Sequence, residues 1–172
     1  LQQATDFLEQ GEYEKAVDIG EKAVTLCPNC SYMIAYHGVL VNYACRFEMA
    51  VSLLEKAIRL NPLPPLFYFT HLGISYYHAG RNEDAIKIFK QVLRSDPQNY
   101  TANIGLTVAY NLSGRASDAR ERAKILRRLH PDFSLQYVKD TAIYKDPDVR
   151  ARVINALRKA GIPEISSNMP SS

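Results

Sequence analysis

The chain has 172 residues, of which 47% are hydrophobic and 23% charged, and its formal net charge is +3. This length and composition are typical of one folded domain with a substantial core and exclude a disordered chain. No run approaches the roughly 18 to 20 apolar residues that a membrane-spanning helix needs. Three cysteines are too few for a disulfide framework, which favours a reducing compartment, and we therefore expect a cytoplasmic protein.

Four prolines recur along the chain at a period of 34 or 35 residues. They are Pro28, Pro62, Pro97 and Pro131. Each follows a segment of helical periodicity, at a place where proline can end a helix. An alanine stands at the same distance before each proline; these alanines are Ala16, Ala50, Ala85 and Ala119. A fixed period of this length indicates stacked helical units.

Small residues are followed by larger apolar ones earlier in the units. Gly38 precedes Val41 in the second unit, and Gly73 precedes Tyr76 in the third. Small side chains let two antiparallel helices approach closely, and the larger side chain fills the space beside them. Each unit is therefore predicted to be a helical hairpin.

These positions resemble the signature of the tetratricopeptide repeat. The second repeat fills it with Ile34, His37, Gly38, Val41, Ala50, Leu54, Ala57 and Pro62. The third does so with Phe69, Leu72, Gly73, Tyr76, Ala85, Phe89, Val92 and Pro97. The resemblance implies an all-α protein, a right-handed superhelix of about four helical hairpins. Residues 1–131 form the array, with repeats at about 1–30, 31–65, 66–99 and 100–131, and the first is expected to be truncated because it begins mid-repeat.

Residues 132–163 break the period and are predicted to form C-terminal capping helices. Asp146 and Pro147 are typical of a helix start, and Gly161 of a stop, which predicts a helix over roughly 147–160. A shorter helix is expected over 133–138. The apolar side of the longer helix packs on the fourth repeat or, alternatively, folds into the groove of the array or docks a partner. Residues 164–172 have little to bury and are predicted to be a flexible tail.

The C-terminal segment after the repeats carries a second resemblance, in residues 131–135, 144–147 and 157–164. It is similar to the segment that closes tetratricopeptide arrays in bacterial class III adenylate/guanylate cyclase-like proteins. This resemblance implies an alternative function, in which the chain is the non-catalytic regulatory or oligomerisation region of a multidomain bacterial signalling enzyme.

The first resemblance also implies where a partner would bind, because the leading helix of each hairpin lines the concave face. The residues predicted to form this peptide-binding groove are Tyr32, Tyr36, Val39, Asn42, Tyr43, Phe67, His71, Ile74, Tyr77, His78 and Asn111. Aromatic side chains bury much area, and asparagine can pair with a peptide backbone. We expect a scaffold for a protein or peptide with apolar or aromatic anchors, which includes a domain of the same polypeptide or a second copy. The alternative is that these aromatic residues only complete packing, or that the C-terminal segment covers them.

Residues for chemistry are sparse. Cys27 and Cys30 have redox or half-zinc spacing, but no second ligand pair accompanies them. No catalytic constellation or phosphate loop is present, and the arginines of the fourth repeat lack interleaved aromatic residues for stacking on bases. We therefore predict no enzyme, no cofactor, no metal site, and neither nucleic acid nor a membrane as partner.

Overall fold

The computed structural model describes residues 2–166. Within that range the chain forms ten α-helices and no β-strand. The helices are α1 (Gln2–Glu9), α2 (Tyr13–Leu26), α3 (Ser31–Tyr43), α4 (Phe47–Leu60), α5 (Leu66–His78), α6 (Asn82–Ser95), α7 (Tyr100–Leu112), α8 (Ala116–Leu129), α9 (Leu135–Thr141) and α10 (Pro147–Lys159). The first eight pair in sequence as four hairpins, which confirms the all-α hairpin fold.

The turns inside the hairpins share one backbone device. Three of them have a glycine in the left-handed conformation, where the missing Cβ removes the steric cost. These are Gly11, Gly80 and Gly114, with φ values of 75°, 80° and 78°. In the second hairpin Cys45 occupies the same place, with φ 61°. The N–H of the next residue donates back into the last helical turn, as from Arg81 to the Tyr76 oxygen over 2.7 Å, and this bond closes the helix.

Close approach of three helices is visible around Phe89 on α6. Its side chain is fully buried and lies between Gly73 on α5 and Gly105 on α7. A Cβ added to Gly73 would lie 2.7 Å from the ring, and one added to Gly105 would lie 2.2 Å from it. The ring therefore occupies space that exists only because both residues lack a side chain.

The hairpins stack in chain order. Each leading helix contacts the next one, from α1 through α3 and α5 to α7, and each trailing helix contacts the leading helix of the following hairpin. The leading helices thus form the inner layer of a superhelix and the trailing helices its outer layer. The leading helices α3, α5 and α7 therefore line the inner face, where a groove can form.

The C-terminal helices cover the last hairpin, since α10 packs against α7, α8 and α9. The shorter helix, expected at 133–138, begins later because the Ser134 side chain caps it by accepting from the Tyr137 N–H. Glu164, the first residue of the predicted tail, forms ion pairs with Lys139 at 3.0 Å and Arg158 at 2.7 Å. The remainder of the predicted tail, 167–172, lies outside the described residues. No helix within 2–166 is both long and apolar enough to cross a membrane.

Candidate binding groove

The predicted groove residues lie on the leading helices. On α3 they are Tyr32, Tyr36, Val39, Asn42 and Tyr43; on α5 they are Phe67, His71, Ile74, Tyr77 and His78; Asn111 is near the end of α7. The structure divides the residues of α3 and α5 into an accessible group and a covered group, while Asn111 is partly exposed on α7. Position along the helix decides the division, because the covered residues are near the C-terminal ends of α3 and α5.

The accessible group is called the open stripe and consists of Tyr32, Tyr36, Val39, Phe67, His71 and Ile74. Tyr32 is 44% exposed, and its ring meets that of Phe67 edge to face with centroids 5.8 Å apart. Phe67 in turn contacts the His71 ring at 6.4 Å. The other members are partly exposed. Aromatic surface from two neighbouring helices is therefore continuous along this part of the inner face.

The open stripe carries no charge at neutral pH. Burial lowers the pKa of His71 to about 4, so its imidazole is neutral. The Tyr36 hydroxyl is within hydrogen-bonding distance of the Thr5 hydroxyl, at 2.9 Å. A neutral aromatic surface suits an apolar ligand better than an acidic one.

Three of the predicted contact residues are not available to a ligand. Asn42 is 1% exposed, and its side-chain oxygen accepts from the Ser75 hydroxyl over 3.1 Å. Tyr77 and His78 are 4% and 6% exposed. The prediction that Asn42 pairs with a peptide backbone is wrong, because its side chain is buried and bonded to α5. Tyr144, from the C-terminal part of the chain, covers Tyr77 and His78, and the Phe47 ring of α4 also stacks on His78 with centroids 4.7 Å apart.

The cover is the connection between α9 and α10, residues 142–146, which we call the strap. Tyr144 lies against two groove residues, with ring centroids 5.7 Å from Tyr43 and 4.9 Å from His78. Ile143 packs with the cluster that contains Tyr36 and Tyr43. The alternative considered from the sequence, that the C-terminal segment covers groove residues, is therefore what the structure shows at this end of the groove.

Polar contacts hold the far end of the strap. The Lys145 N–H donates to the main-chain oxygen of Tyr43 over 2.9 Å. The Lys145 ammonium reaches Glu14 of the first hairpin at 2.7 Å, and Arg46 also pairs with this carboxylate. The hydrogen bond from Lys145, with the positive charge of Arg46, holds the pKa of Glu14 below its usual value. The strap thus extends across the inner face to the first hairpin.

The covered end of the groove is buried and polar. Burial raises the pKa of the Tyr77 and Tyr144 hydroxyls, which lie close to each other. Burial, with the nearby charge of Arg152, lowers the pKa of His78 to about 3. An Arg152 nitrogen is 3.1 Å from His78 Nδ1, and since a guanidinium only donates, Nδ1 accepts and Nε2 carries the proton.

A cavity of about 260 Å³ remains between the array and the C-terminal segment. Its lining includes Ile74 and Tyr77 from α5, Ile104 from α7, and Tyr144 from the strap. Ile104 and Tyr144 were not among the predicted groove residues. Ile104 lies on a leading helix, where the repeat register could have found it, whereas no local pattern marks Tyr144 as a groove residue.

The cysteines do not come together with other ligands. Cys27 is exposed, and Cys30 and Cys45 are partly buried, all three as free thiols. Across residues 2–166 no three side chains of His, Cys, Asp or Glu are grouped closely enough to hold a metal ion.

Comparison with protein families identifies the repeats. Two models described as tetratricopeptide repeat match residues 43–100 and 76–139, and together they span more than half of the chain. The chain belongs to the tetratricopeptide repeat proteins. No curated protein matches it in sequence.

Several solved structures share this fold over about nine-tenths of the chain. MamA from Desulfovibrio magneticus RS-1 has a TM-score of 0.66 at 16% identity, with 92% of this chain and 89% of that chain covered. TTC0263 from Thermus thermophilus has 0.63 at 22% identity, covering 90% and 78%. YrrB, described as a tetratricopeptide repeat protein with an unusual peptide-binding site, has 0.60 at 16% identity, covering 91% and 80%. The comparisons do not support the resemblance of the C-terminal segment to cyclase-like proteins.

Proposed function

We propose that this tetratricopeptide repeat protein is a scaffold that binds another polypeptide through the open stripe. The observation that carries the proposal is the contact of Tyr32 with Phe67 across α3 and α5, with Tyr32 44% exposed. Membership of the family supports a binding role, and YrrB shows that a protein of this fold can have a peptide-binding site.

The proposed ligand is a peptide with aromatic or aliphatic anchors. Large exposed rings on two neighbouring helices offer apolar contact area at low entropic cost. The neutral His71 and the absence of Lys or Arg from the open stripe disfavour an acidic tail as ligand. The ligand would lie across α3 and α5, beside the end that the strap covers.

Selection of peptides from a random library on the purified protein tests this proposal. We expect selected peptides to be rich in aromatic and aliphatic residues. Combining Tyr32→Ala with Phe67→Ala should weaken their binding by about a hundredfold or more, since central aromatic contacts each cost about 2 kcal/mol or more when truncated. Titration by fluorescence anisotropy measures the change.

The matched control is Leu63→Ala, which removes a side chain that is 87% exposed in the loop between α4 and α5. Its binding should equal that of the unmodified protein. Circular dichroism should show the same helix content in all variants. Equal binding by the double variant and by Leu63→Ala would contradict the open stripe as the site.

A further inference from the structure

The strap has the backbone form of a bound peptide. It belongs to no helix, and the residues at its two ends have extended backbone, with φ −81° and ψ 102° at Ala142 and φ −93° and ψ 118° at Asp146. It crosses the inner face of the array and donates a main-chain hydrogen bond to Tyr43. A segment of this form on a concave helical surface has the geometry of a ligand.

Three successive side chains of the strap each have their own contacts on the array. Ile143 packs among apolar and aromatic residues of the first two hairpins, and Tyr144 lies between the rings of Tyr43 and His78. Lys145 pairs with Glu14. The groove therefore offers, in order, an apolar contact, an aromatic pocket and a carboxylate.

The strap is not needed to keep its flanking helices in place. The N–H groups of Leu135 and Gln136 at the start of α9 donate to the carbonyls of Pro163 and Glu164 beyond α10, each over 2.9 Å. In addition, α10 packs directly on α7 and α8. The strap can leave the groove while α9 and α10 remain attached to each other and to the array.

We propose that the strap is an intramolecular ligand that closes one end of the groove, and that the partner displaces it with an extended segment of the same chemistry: an aliphatic residue, a tyrosine and a basic residue in succession. The inference rests on the proposed function, since it takes the strap-covered end as a continuation of the open stripe. Tethering gives the strap a high local concentration. A partner must therefore compete with the strap. The apparent affinity of the partner equals its affinity for the open groove multiplied by the fraction of molecules in which the groove is open.

The probe is a synthetic peptide with the sequence of residues 140–147, Asp-Thr-Ala-Ile-Tyr-Lys-Asp-Pro. Ile143→Ala with Tyr144→Ala in the protein removes the strap side chains that fill the groove. We expect this opened chain to bind the peptide at least about tenfold more tightly than the unmodified protein. A peptide in which the tyrosine corresponding to Tyr144 is alanine should not bind. Equal affinity of the opened and unmodified chains would overturn the proposal.

The matched control is Ile165→Ala, which truncates a side chain that is 62% exposed beyond α10. It should bind the peptide no better than the unmodified protein, and light scattering should show the unmodified protein as a monomer. A dimer that dissociates in the opened chain would mean that two copies exchange straps, and would overturn the assignment of an intramolecular ligand.

A second measurement does not depend on the opened chain folding. In the unmodified protein the Lys145 amide should exchange its hydrogen slowly, because it is bonded to Tyr43. An excess of the peptide should accelerate this exchange in NMR spectra by displacing the strap. No acceleration at saturating peptide would contradict displacement.

The two proposals fail in different ways. Loss of library peptide binding in the Tyr32→Ala, Phe67→Ala variant, with no gain in the opened chain, would leave the open stripe as the site and exclude the strap as its competitor. A gain in the opened chain, with no effect of the Tyr32→Ala, Phe67→Ala variant, would support the strap and place the ligand outside the open stripe.

Discussion

The Lys145 N–H and the main-chain oxygen of Tyr43 form a hydrogen bond of 2.9 Å, which joins the segment before α10 to the C-terminal end of α3. The neighbouring Tyr144 ring contacts the Tyr43 ring. Together the two contacts close one end of the concave face with the chain's own residues. The covered end and the open stripe therefore make different predictions about stability and binding.

Tyr144 should contribute to stability as well as to covering the groove. Tyr144→Ala removes a half-buried ring from contact with Tyr43 and His78, and we expect a loss of about 2 kcal/mol in the free energy of unfolding, below the 3 to 5 kcal/mol typical of a fully buried aromatic side chain. Tyr144→Phe keeps the ring and loses only the hydroxyl beside Tyr77, at a cost of about 1 kcal/mol. Urea denaturation checks both values. Equal stability of the unmodified protein and both variants would mean that Tyr144 does not pack against Tyr43 and His78.

Gly105 should tolerate no side chain. Gly105→Ala places a Cβ 2.2 Å from the Phe89 ring, which is fully buried and blocked on its other side by Gly73. We expect a loss of about 2 kcal/mol by overpacking, read from the midpoint of chemical unfolding. Gln91→Ala, at an exposed position of the same helix as Phe89, should change stability by less than about 0.5 kcal/mol. An unchanged Gly105→Ala protein would contradict the packing of α6 between α5 and α7.

Replacing Cys45 by glycine should stabilise the protein. Cys45 has a left-handed backbone, which costs a residue with a Cβ roughly 1 to 2 kcal/mol. Cys45→Gly should therefore raise the free energy of unfolding by about 1 kcal/mol, whereas Cys45→Ala, which keeps the Cβ, should not. Gly80→Ala should lower the free energy of unfolding, because Gly80 has the same left-handed conformation. No atom lies within 4 Å of the added Cβ, so this loss would come from the backbone alone. Differential scanning calorimetry compares the melting temperatures of the unmodified protein and the three variants. A stabilised Cys45→Ala protein would show that loss of the sulfur, and not of the Cβ, causes the change.

Stability should fall as the pH is lowered from 7 to 4.5, in part because of His78. Its pKa is about 3 in the folded protein, against about 6.5 when unfolded. Between these values His78 is protonated in the unfolded chain and neutral in the folded protein, so acid favours unfolding. Above about pH 6.5 His78 is neutral in both states and causes no loss of stability. Between pH 7 and 4.5 we expect this residue to lower the free energy of unfolding by roughly 2 kcal/mol.

The control for this pH dependence is His78→Gln, which removes the titrating group. Its free energy of unfolding should depend on pH less steeply than that of the unmodified protein. Urea titrations at pH 7 and 4.5 provide the comparison. Parallel curves for the two proteins would show that His78 does not bind the proton on unfolding.

The hairpins could be predicted because the information for them is local. Pro62 and Pro97 end trailing helices, and Gly38 and Gly73 recur where two helices approach, so the repeat period alone indicates helices of this length in this order. The inner position of Tyr32 and Phe67 follows from the same register. Helical periodicity specifies the side of a helix on which a residue lies, and repeat stacking turns that side inward.

Periodicity does not specify what lies opposite that side. Asn42 has the register of a groove residue but is bonded to Ser75, and His78 has it but lies under Tyr144. The decisive contact joins Lys145 to Glu14 across 131 residues of sequence. The sequence by itself therefore determined the repeats and the inner face, because their causes lie within one hairpin. Only the tertiary structure decided that part of this face is covered, because the covering segment comes from the far end of the chain.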